Sequence, residues 1–375
     1  MRAVAAYPST KQMKIVDHPE PRLEHPSDVL VRVLEVGICG TDREIARFEY
    51  GEPPPGEDHL VLGHESLAEV LEVGPEVKGL VPGDLAVPMV RRPCASAACA
   101  ACRAGRADFC FTGEYEERGI NRLHGFMTER AVDEARWFVA VPPALRDLGV
   151  LVEPLSVAEK GIRQAVDVLR RLPFIDVEAK RREDRTKRED RAKAVVIGAG
   201  AIGLLAAMAL RARGLEVWLW SREPRDSPQA RLVEAVGGRY RNTAEQPLSA
   251  LAAEVGFIAL IFEATGAAPI AFEAMPLLGA NGIFCLTGVP GRKGPLPIEA
   301  DAIMKSLVLR NQVVFGSVNA GPDSFRSAVE DLTTFAQRWP REISSLVSSR
   351  HDLDEVPVLL GQPPVGTKSV VRVAS

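Results

Sequence analysis

From Asp28 to Val36 the chain runs Asp-Val-Leu-Val-Arg-Val-Leu-Glu-Val, an alternation of apolar and polar side chains that marks a strand with one buried face. Similar short runs, punctuated by Gly and Pro, continue to about residue 140 and predict a strand-rich, barrel-like domain. From Glu153 to about Leu172 apolar residues recur at helical spacing, and from Lys193 onward strand-like and helix-like stretches alternate as in a parallel α/β sheet. A strand at Gln312–Ser317 closes that second block. A helix over Ser324–Arg338 and a strand over Lys368–Val373 then return to the first, which is therefore discontinuous. The expected organisation is a first domain of residues 1–189 and 319–375 and a second of 190–318. Between the blocks, Glu178–Lys193 repeats the hexamer Arg-Glu-Asp-Arg-x-Lys in tandem and reads as a solvated linker without function.

Composition narrows the choices. At 375 residues, 46% apolar and 26% charged, the chain has the makings of two folded domains and lies outside the composition of disorder. Lys+Arg 46 against Asp+Glu 50 leaves a net charge of −4, which supplies no field for nucleic acid or an acidic membrane. Met1–Thr10 lacks the apolar core and cleavage site of a secretory signal, so a cytoplasmic location is expected. The longest uncharged stretch, Ala194–Leu210, carries glycines at motif spacing and reads as a buried strand and helix, not a membrane span. Four of six cysteines crowd into Cys94–Cys110, which in such a chain favours a metal over disulfides.

Strand Ala194–Ile197 leads directly into Gly198-Ala-Gly200-Ala201-Ile202-Gly203 and then a helix ending near Gly214, with a second strand at Glu216–Trp220. Gly198 permits the tight turn, Gly200 lets backbone N–H groups approach a pyrophosphate, and Gly203 lets helix pack on strand; in this context the motif predicts a dinucleotide site. An Asp or Glu at the end of the second strand would bind the ribose of NAD. Ser221-Arg222 stands there instead, a hydroxyl and a cation suited to a 2′-phosphate, so NADP is expected and NAD remains possible through the neighbouring Glu223. Thr265 and Gly266 are further expected cofactor contacts.

Cys39-Gly-Thr41-Asp42, Gly63-His64-Glu65 and Glu153-Pro-Leu offer the thiolate, imidazole and carboxylate ligands of a catalytic zinc that keeps one position open. With the downstream Gly74-x8-Gly83-Asp84, these pieces resemble the zinc-dependent medium-chain dehydrogenases. Cys39-Gly-Thr-Asp-Arg-Glu, Leu60-Val-Leu-Gly-His-Glu65, Arg91-Arg-Pro93, Gly125-Phe-Met127 and Gly316-Ser-Val-Asn319 are most similar to the glucose 1-dehydrogenases within that superfamily. The resemblance covers nearly the whole chain. It implies an α/β fold with a GroES-like β-barrel catalytic domain and a Rossmann, doubly wound parallel sheet for NAD(P). It implies Cys39, His64, Glu65 and Glu153 around a catalytic zinc, Thr41 near the reacting oxygen, Glu117 and Asn319 among the sugar contacts, and Asn319 also beside the cofactor. Oxidising an alcohol removes a proton and a hydride; a zinc Lewis acid eases the first loss, Thr41 can pass the proton outward, and the nicotinamide takes the hydride. The expected activity is therefore oxidation of an aldose at C1 to the aldonolactone with NADP, an oxidoreductase of carbohydrate metabolism.

Cys94-x4-Cys99-x2-Cys102-x7-Cys110 resembles the superfamily's structural zinc lobe, although the usual first spacing is two residues. Such a four-thiolate site is closed and stabilising. Val90 and Val157 stand where some sugar-oxidising relatives have Asn and Asp, so the preferred aldose stays open, and Ala68 replaces a common Gly. Cys285 reads as core. His18, His25, His59, His124 and His351 read as surface or capping residues, and Glu114 and Glu116 as solvated neighbours of Glu117. Two alternatives are a polyol or secondary-alcohol dehydrogenase of the same superfamily and a non-catalytic NADPH-binding relative. The edge run Val313–Phe315 points to a homo-oligomer, dimer or tetramer.

Overall fold

The computed structural model describes residues 1–172, 192–291 and 294–374. Most of the charged tandem repeat, 178–191, and with it the expected boundary at 189/190, lies outside the described residues. Two compact units emerge, Met1–Ser156 with Asn319–Ala336 and Ile343–Ser375, and Val157–Val318 with Gln337–Glu342. The chain returns to the first unit at Asn319. The first crossing falls within helix Val152–Leu169. Its cause is packing within the second unit: a Cβ on Gly161 would stand 2.9 Å from Cys285 Sγ and 3.0 Å from Phe262 Cε2, so the helix presses directly on the parallel sheet.

The first unit is built on a mixed sheet in the order Phe138–Val141, Leu85–Pro88, Glu65–Val73, Asp28–Gly37, Lys368–Arg372, Val347–Asp352, with Arg130–Glu134 also pairing with Asp28–Gly37. Asp28–Gly37 is therefore central. Leu30 and Arg32 are partly exposed and the rest of the strand is buried, Glu35 included, so its second face is more covered than the alternation predicts. The polar positions are accommodated by ion pairs: Arg32 reaches Glu69 at 2.8 Å, and Glu35 accepts from Arg350 at 2.8 Å. Val31, Val33, Val36, Leu62, Phe126 and Met127 form its core. The helix Pro322–Arg338 turns Phe325, Ala328, Leu332 and Phe335 inward, three to four residues apart as an amphipathic helix requires.

The second unit carries a six-stranded, all-parallel sheet in the order Arg239–Asn242, Glu216–Ser221, Lys193–Ile197, Leu260–Glu263, Ile283–Leu286, Val313–Gly316. Numbered along the chain this is the 3-2-1-4-5-6 order of the doubly wound nucleotide-binding fold. Its central strands are continuous apolar runs because helices cover both faces. Among the described residues, no helix is long and apolar enough to cross a membrane. Ala194–Leu210 is the expected strand and helix.

Candidate active site and metal centres

The central strand of the first unit ends at Gly37, and two residues later Cys39 caps the short helix Gly40–Ala46. Cys39 Sγ accepts from the Thr41 N–H at 3.2 Å, and the Cys39 N–H donates to Asp42 Oδ2 at 2.9 Å, so the capping turn aims the sulfur. Glu65 opens the neighbouring strand in register with Gly37. A Cβ on Gly37 would lie 2.2 Å from Glu65 Oε2, so only glycine leaves room for that carboxylate. His64 precedes it, 4% exposed. Cys39 Sγ, a His64 ring nitrogen and a Glu65 oxygen converge within 4.8 Å of one another. Glu153, on the first turn of helix Val152–Leu169, is buried beside them.

These groups are short of positive charge. Lys368 Nζ donates to both Glu65 oxygens, at 2.8 and 2.6 Å, and to Ile38 O at 3.2 Å. Burial works against the Lys368 ammonium, yet Glu65 and Cys39 hold its pKa above the usual value. Burial pushes the Glu153 carboxyl up to about 7; Glu65 adds to the rise, and His64 and Lys368 oppose it. Burial also opposes charge on His64, but Asp42 and Cys39 outweigh it and hold the ring well above the ordinary imidazole range. Asp42 Oδ1 stands 3.4 Å from His64 Nδ1, and both atoms are buried without a hydrogen-bond partner among the described residues. An imidazole whose outer nitrogen faces a carboxylate presents its other nitrogen to a cation. Without a metal the set draws a proton onto His64 beside the Lys368 ammonium, and a divalent cation would take that proton's place.

Glu117, 5% exposed, lies on strand Glu116–Arg118 directly across from Arg91. Arg91 Nε donates to its Oε1 at 3.0 Å and a terminal nitrogen lies 2.9 Å away, with the Tyr115 ring 3.6 Å from the guanidinium. Asn319 Nδ2 donates to the same oxygen at 3.2 Å, from a left-handed backbone with φ 56°. Residues more than 200 positions apart are thus brought together. Glu114 is exposed and Glu116 half-buried.

In the second unit Gly198 has φ 106°, and a Cβ on Gly203 would stand 2.1 Å from Gly198 O. Nothing lies within 4 Å of where a Gly200 Cβ would be, which leaves the start of helix Ala201–Ala212 open to a ligand. Ser221 ends the second strand. The Arg222 side chain is 89% exposed, with Glu223 3.9 Å away. Tyr240 Oη donates to Ser221 O and Glu223 O, and Asn242 Nδ2 to Arg222 O and Glu223 O, so this turn is clamped through its carbonyls. Glu263 Oε1 accepts from Thr265 N–H at 2.6 Å and Gly266 N–H at 3.0 Å, fixing the turn that carries both.

The four cysteines of the lobe also converge within 4.8 Å. A tetrahedron of sulfurs about 2.3 Å from a zinc ion has edges of about 3.8 Å. The Cys94–Cys102 and Cys99–Cys110 sulfurs are 3.7 and 3.9 Å apart, too far for disulfides and spaced for that tetrahedron. The longer first spacing is absorbed by the loop. Backbone N–H groups of Phe111 and Cys102 lower Cys99, while burial pushes Cys102 up to about 12, so without a cation the four cannot all ionise.

Sequence reasoning passed over Lys368, Asp42 and Arg91, whose only signals are a Lys opening an apolar strand and polar positions inside quoted strings. It also scattered the histidines, whereas His18, His59 and His124 meet with ring nitrogens within 4.8 Å. Cys285 is fully buried, as expected of core.

Compared with known proteins, residues 146–372 match the family described as "Glucose dehydrogenase C-terminus" and residues 25–143 the "Alcohol dehydrogenase GroES-like domain". The chain is 40% identical over 357 residues to the glucose 1-dehydrogenase of Methanocella arvoryzae, covering 95% of each, and 39% identical over 333 residues to that of Thermoproteus tenax, covering 88% of each. Among solved structures it is similar to Haloferax mediterranei glucose dehydrogenase in complex with NADP, Zn and gluconolactone, at a TM-score of 0.86 and 30% identity over 100% of both chains.

Proposed function

The chain belongs to the glucose dehydrogenase family of the zinc-dependent medium-chain dehydrogenases, and from that premise we propose that it oxidises an aldose, glucose or a close relative, at C1 to the aldonolactone while reducing NADP. The observation that carries the reading is the buried convergence of Cys39, His64 and Glu65, with Glu153 and Lys368 beside them. In this reading Cys39, His64, Glu65 and Glu153, directly or through water, hold a catalytic zinc. Zinc bound there supplies Lewis acidity and NADP the hydride acceptor.

The chain's own residues do the rest. Asp42 orients His64 through Nδ1, and Lys368 neutralises Glu65 so that the carboxylate stays ionised in a buried setting. Thr41 Oγ1 takes the hydroxyl proton and passes it outward. Glu117, its Oε1 held by Arg91 and Asn319, is pre-oriented to accept from a sugar hydroxyl, a charge-assisted bond that an open-chain substrate would match less well. Gly198, Gly200, Ala201, Ile202 and Gly203 receive the pyrophosphate and Ser221 and Arg222 the 2′-phosphate, Thr265 and Gly266 are further cofactor contacts of the second unit, and Asn319 is a cofactor contact of the first. Cys94, Cys99, Cys102 and Cys110 hold a second zinc that orders their lobe.

Initial rates with NADP and NAD across glucose, galactose, xylose, sorbitol and simple secondary alcohols, with and without a chelator, test this. Chelator-sensitive aldose oxidation that favours NADP is expected. Activity confined to open-chain alcohols would replace it with the polyol reading, and NADPH binding without turnover would leave a non-catalytic relative. Self-association belongs to the same proposal: helix Ala300–Leu309 buries none of its residues, exposes Met304, Val308 and Leu309, and lies in the unit whose edge strand is Val313–Gly316. A cytoplasmic location is part of it too, in keeping with six unpaired cysteines.

A further inference from the structure

We propose that the first unit carries another metal site, for a zinc-like divalent transition metal, at His18, His59 and Glu57. These residues come from separate strand ends: His18 follows strand Gln12–Asp17, and Glu57 and His59 precede Leu60–Val61. His124, which follows Arg122–Leu123, completes the cluster, with ring centroids 4.9 Å from His18 and 5.1 Å from His59.

The hydrogen bonds assign each group a part. Asp58 Oδ1 lies 2.9 Å from His59 Nδ1, which puts the ring proton there and leaves Nε2 with a lone pair. That is the carboxylate–histidine arrangement found behind metal-ligating imidazoles. His59 also stacks on Tyr7, with ring centroids 5.3 Å apart, so its ring plane is fixed. His124 is oriented the other way. The Val61 N–H donates to its Nδ1 at 3.1 Å, so the proton is on Nε2 and is donated to Glu57 Oε2 at 2.7 Å. His124 therefore holds Glu57, as Asp58 holds His59, and is not itself a ligand. His18 Nδ1 is buried without a hydrogen-bond partner among the described residues, a deficit that a metal would relieve.

Two imidazoles and one carboxylate, with outer partners holding His59 and Glu57, form a ligand set for first-row divalent metals with positions left for water. The ring nitrogens of His18, His59 and His124 lie within 4.8 Å of one another, and Glu57, which stands outside that group, must move in to complete the set. His59 Nε2 and Glu57 Oε2 are 4.0 Å apart. Two ligands of a tetrahedral zinc lie about 3.4 Å apart, and Glu57 is 43% exposed on its loop, free to close that gap. An ion here would tie two strand ends together, away from the groups assigned to the reaction, and act as a staple.

The test uses the full-length protein, dialysed to remove loosely held metal and titrated with zinc chloride, for the wild type, Glu57→Gln and the double variant His18→Gln, His59→Gln. Zinc per chain and melting temperature are read together. The wild type should bind one equivalent more than either variant and gain thermal stability on zinc addition that the variants lack, with turnover within about twofold in all three. Glu57 is exposed, so its replacement by Gln tests the site without endangering the fold. Equal zinc content and an equal thermal response in all three proteins would overturn the proposal.

Discussion

The cluster at Cys39 and the cluster at Cys94 both offer sulfur to a cation, and they are assembled in opposite ways. Cys39, the adjacent His64 and Glu65, Glu153 and Lys368 come from four separate places in the chain and meet where strands Asp28–Gly37, Glu65–Val73 and Lys368–Arg372 run side by side. Cys94, Cys99, Cys102 and Cys110 come from one short stretch, beside the exposed Phe109 and Phe111. The first set mixes donor types and is held by the sheet whether or not a metal is present. The second has four identical donors and little core of its own, so a metal bound there would be coupled to its fold. A site fixed by the fold can keep a coordination position for chemistry, whereas a site that makes its own fold must close.

The contrast is broken most directly by exchanging ligands. Cys39→Ser or His64→Ala should lower aldose kcat/KM on the order of 10³-fold, the scale of several kcal/mol of transition-state stabilisation. NADPH affinity, measured by fluorescence titration, should change little. Parallel loss of nucleotide binding would mean that these residues are structural and the two clusters alike. Lys368→Met should come next. With Glu65 deprived of its buried partner, kcat should fall roughly 10- to 100-fold while KM for NADP holds, as for other outer partners of metal ligands. An unchanged kcat would show that Glu65 needs no counter-charge.

Cys99→Ser sharpens the other side. It should lower the melting temperature by roughly 10 °C while the folded fraction keeps most of its specific activity. The smallest effect is one of order. A chelator added to the wild type should abolish turnover before it lowers the melting temperature, because the mixed-ligand site exchanges its metal faster than the closed one. Simultaneous loss would contradict the division of roles.

Local strings carried much of this in the sequence. The glycine turn at Gly198–Gly203, the pairing of His64 with Glu65 and the spacing of the four lobe cysteines are each confined to a short segment, where period and residue type suffice. What escaped is non-local. Lys368 lies 303 residues from Glu65, and only strand pairing puts them in contact. Arg91 meets Glu117 across a two-residue ladder, and Asp42 acts on His64 through a helix cap. The alternation at Asp28–Gly37 misled for a related reason. The strand is central, so neighbours supply ion pairs to polar positions that would otherwise face water. The boundary inside helix Val152–Leu169 escaped because Gly161 signals close packing only once its partners Cys285 and Phe262 are known.

The most direct test of the central claim is zinc content and aldose turnover measured side by side on purified Cys39→Ser and Cys94→Ser proteins. Cys39→Ser should lose one zinc equivalent and nearly all turnover while keeping the wild-type melting temperature. Cys94→Ser should lose one equivalent and thermal stability while its folded fraction turns over. Retained turnover in Cys39→Ser, or a folded but inactive Cys94→Ser, would contradict the assignment of chemistry to the one cluster and structure to the other.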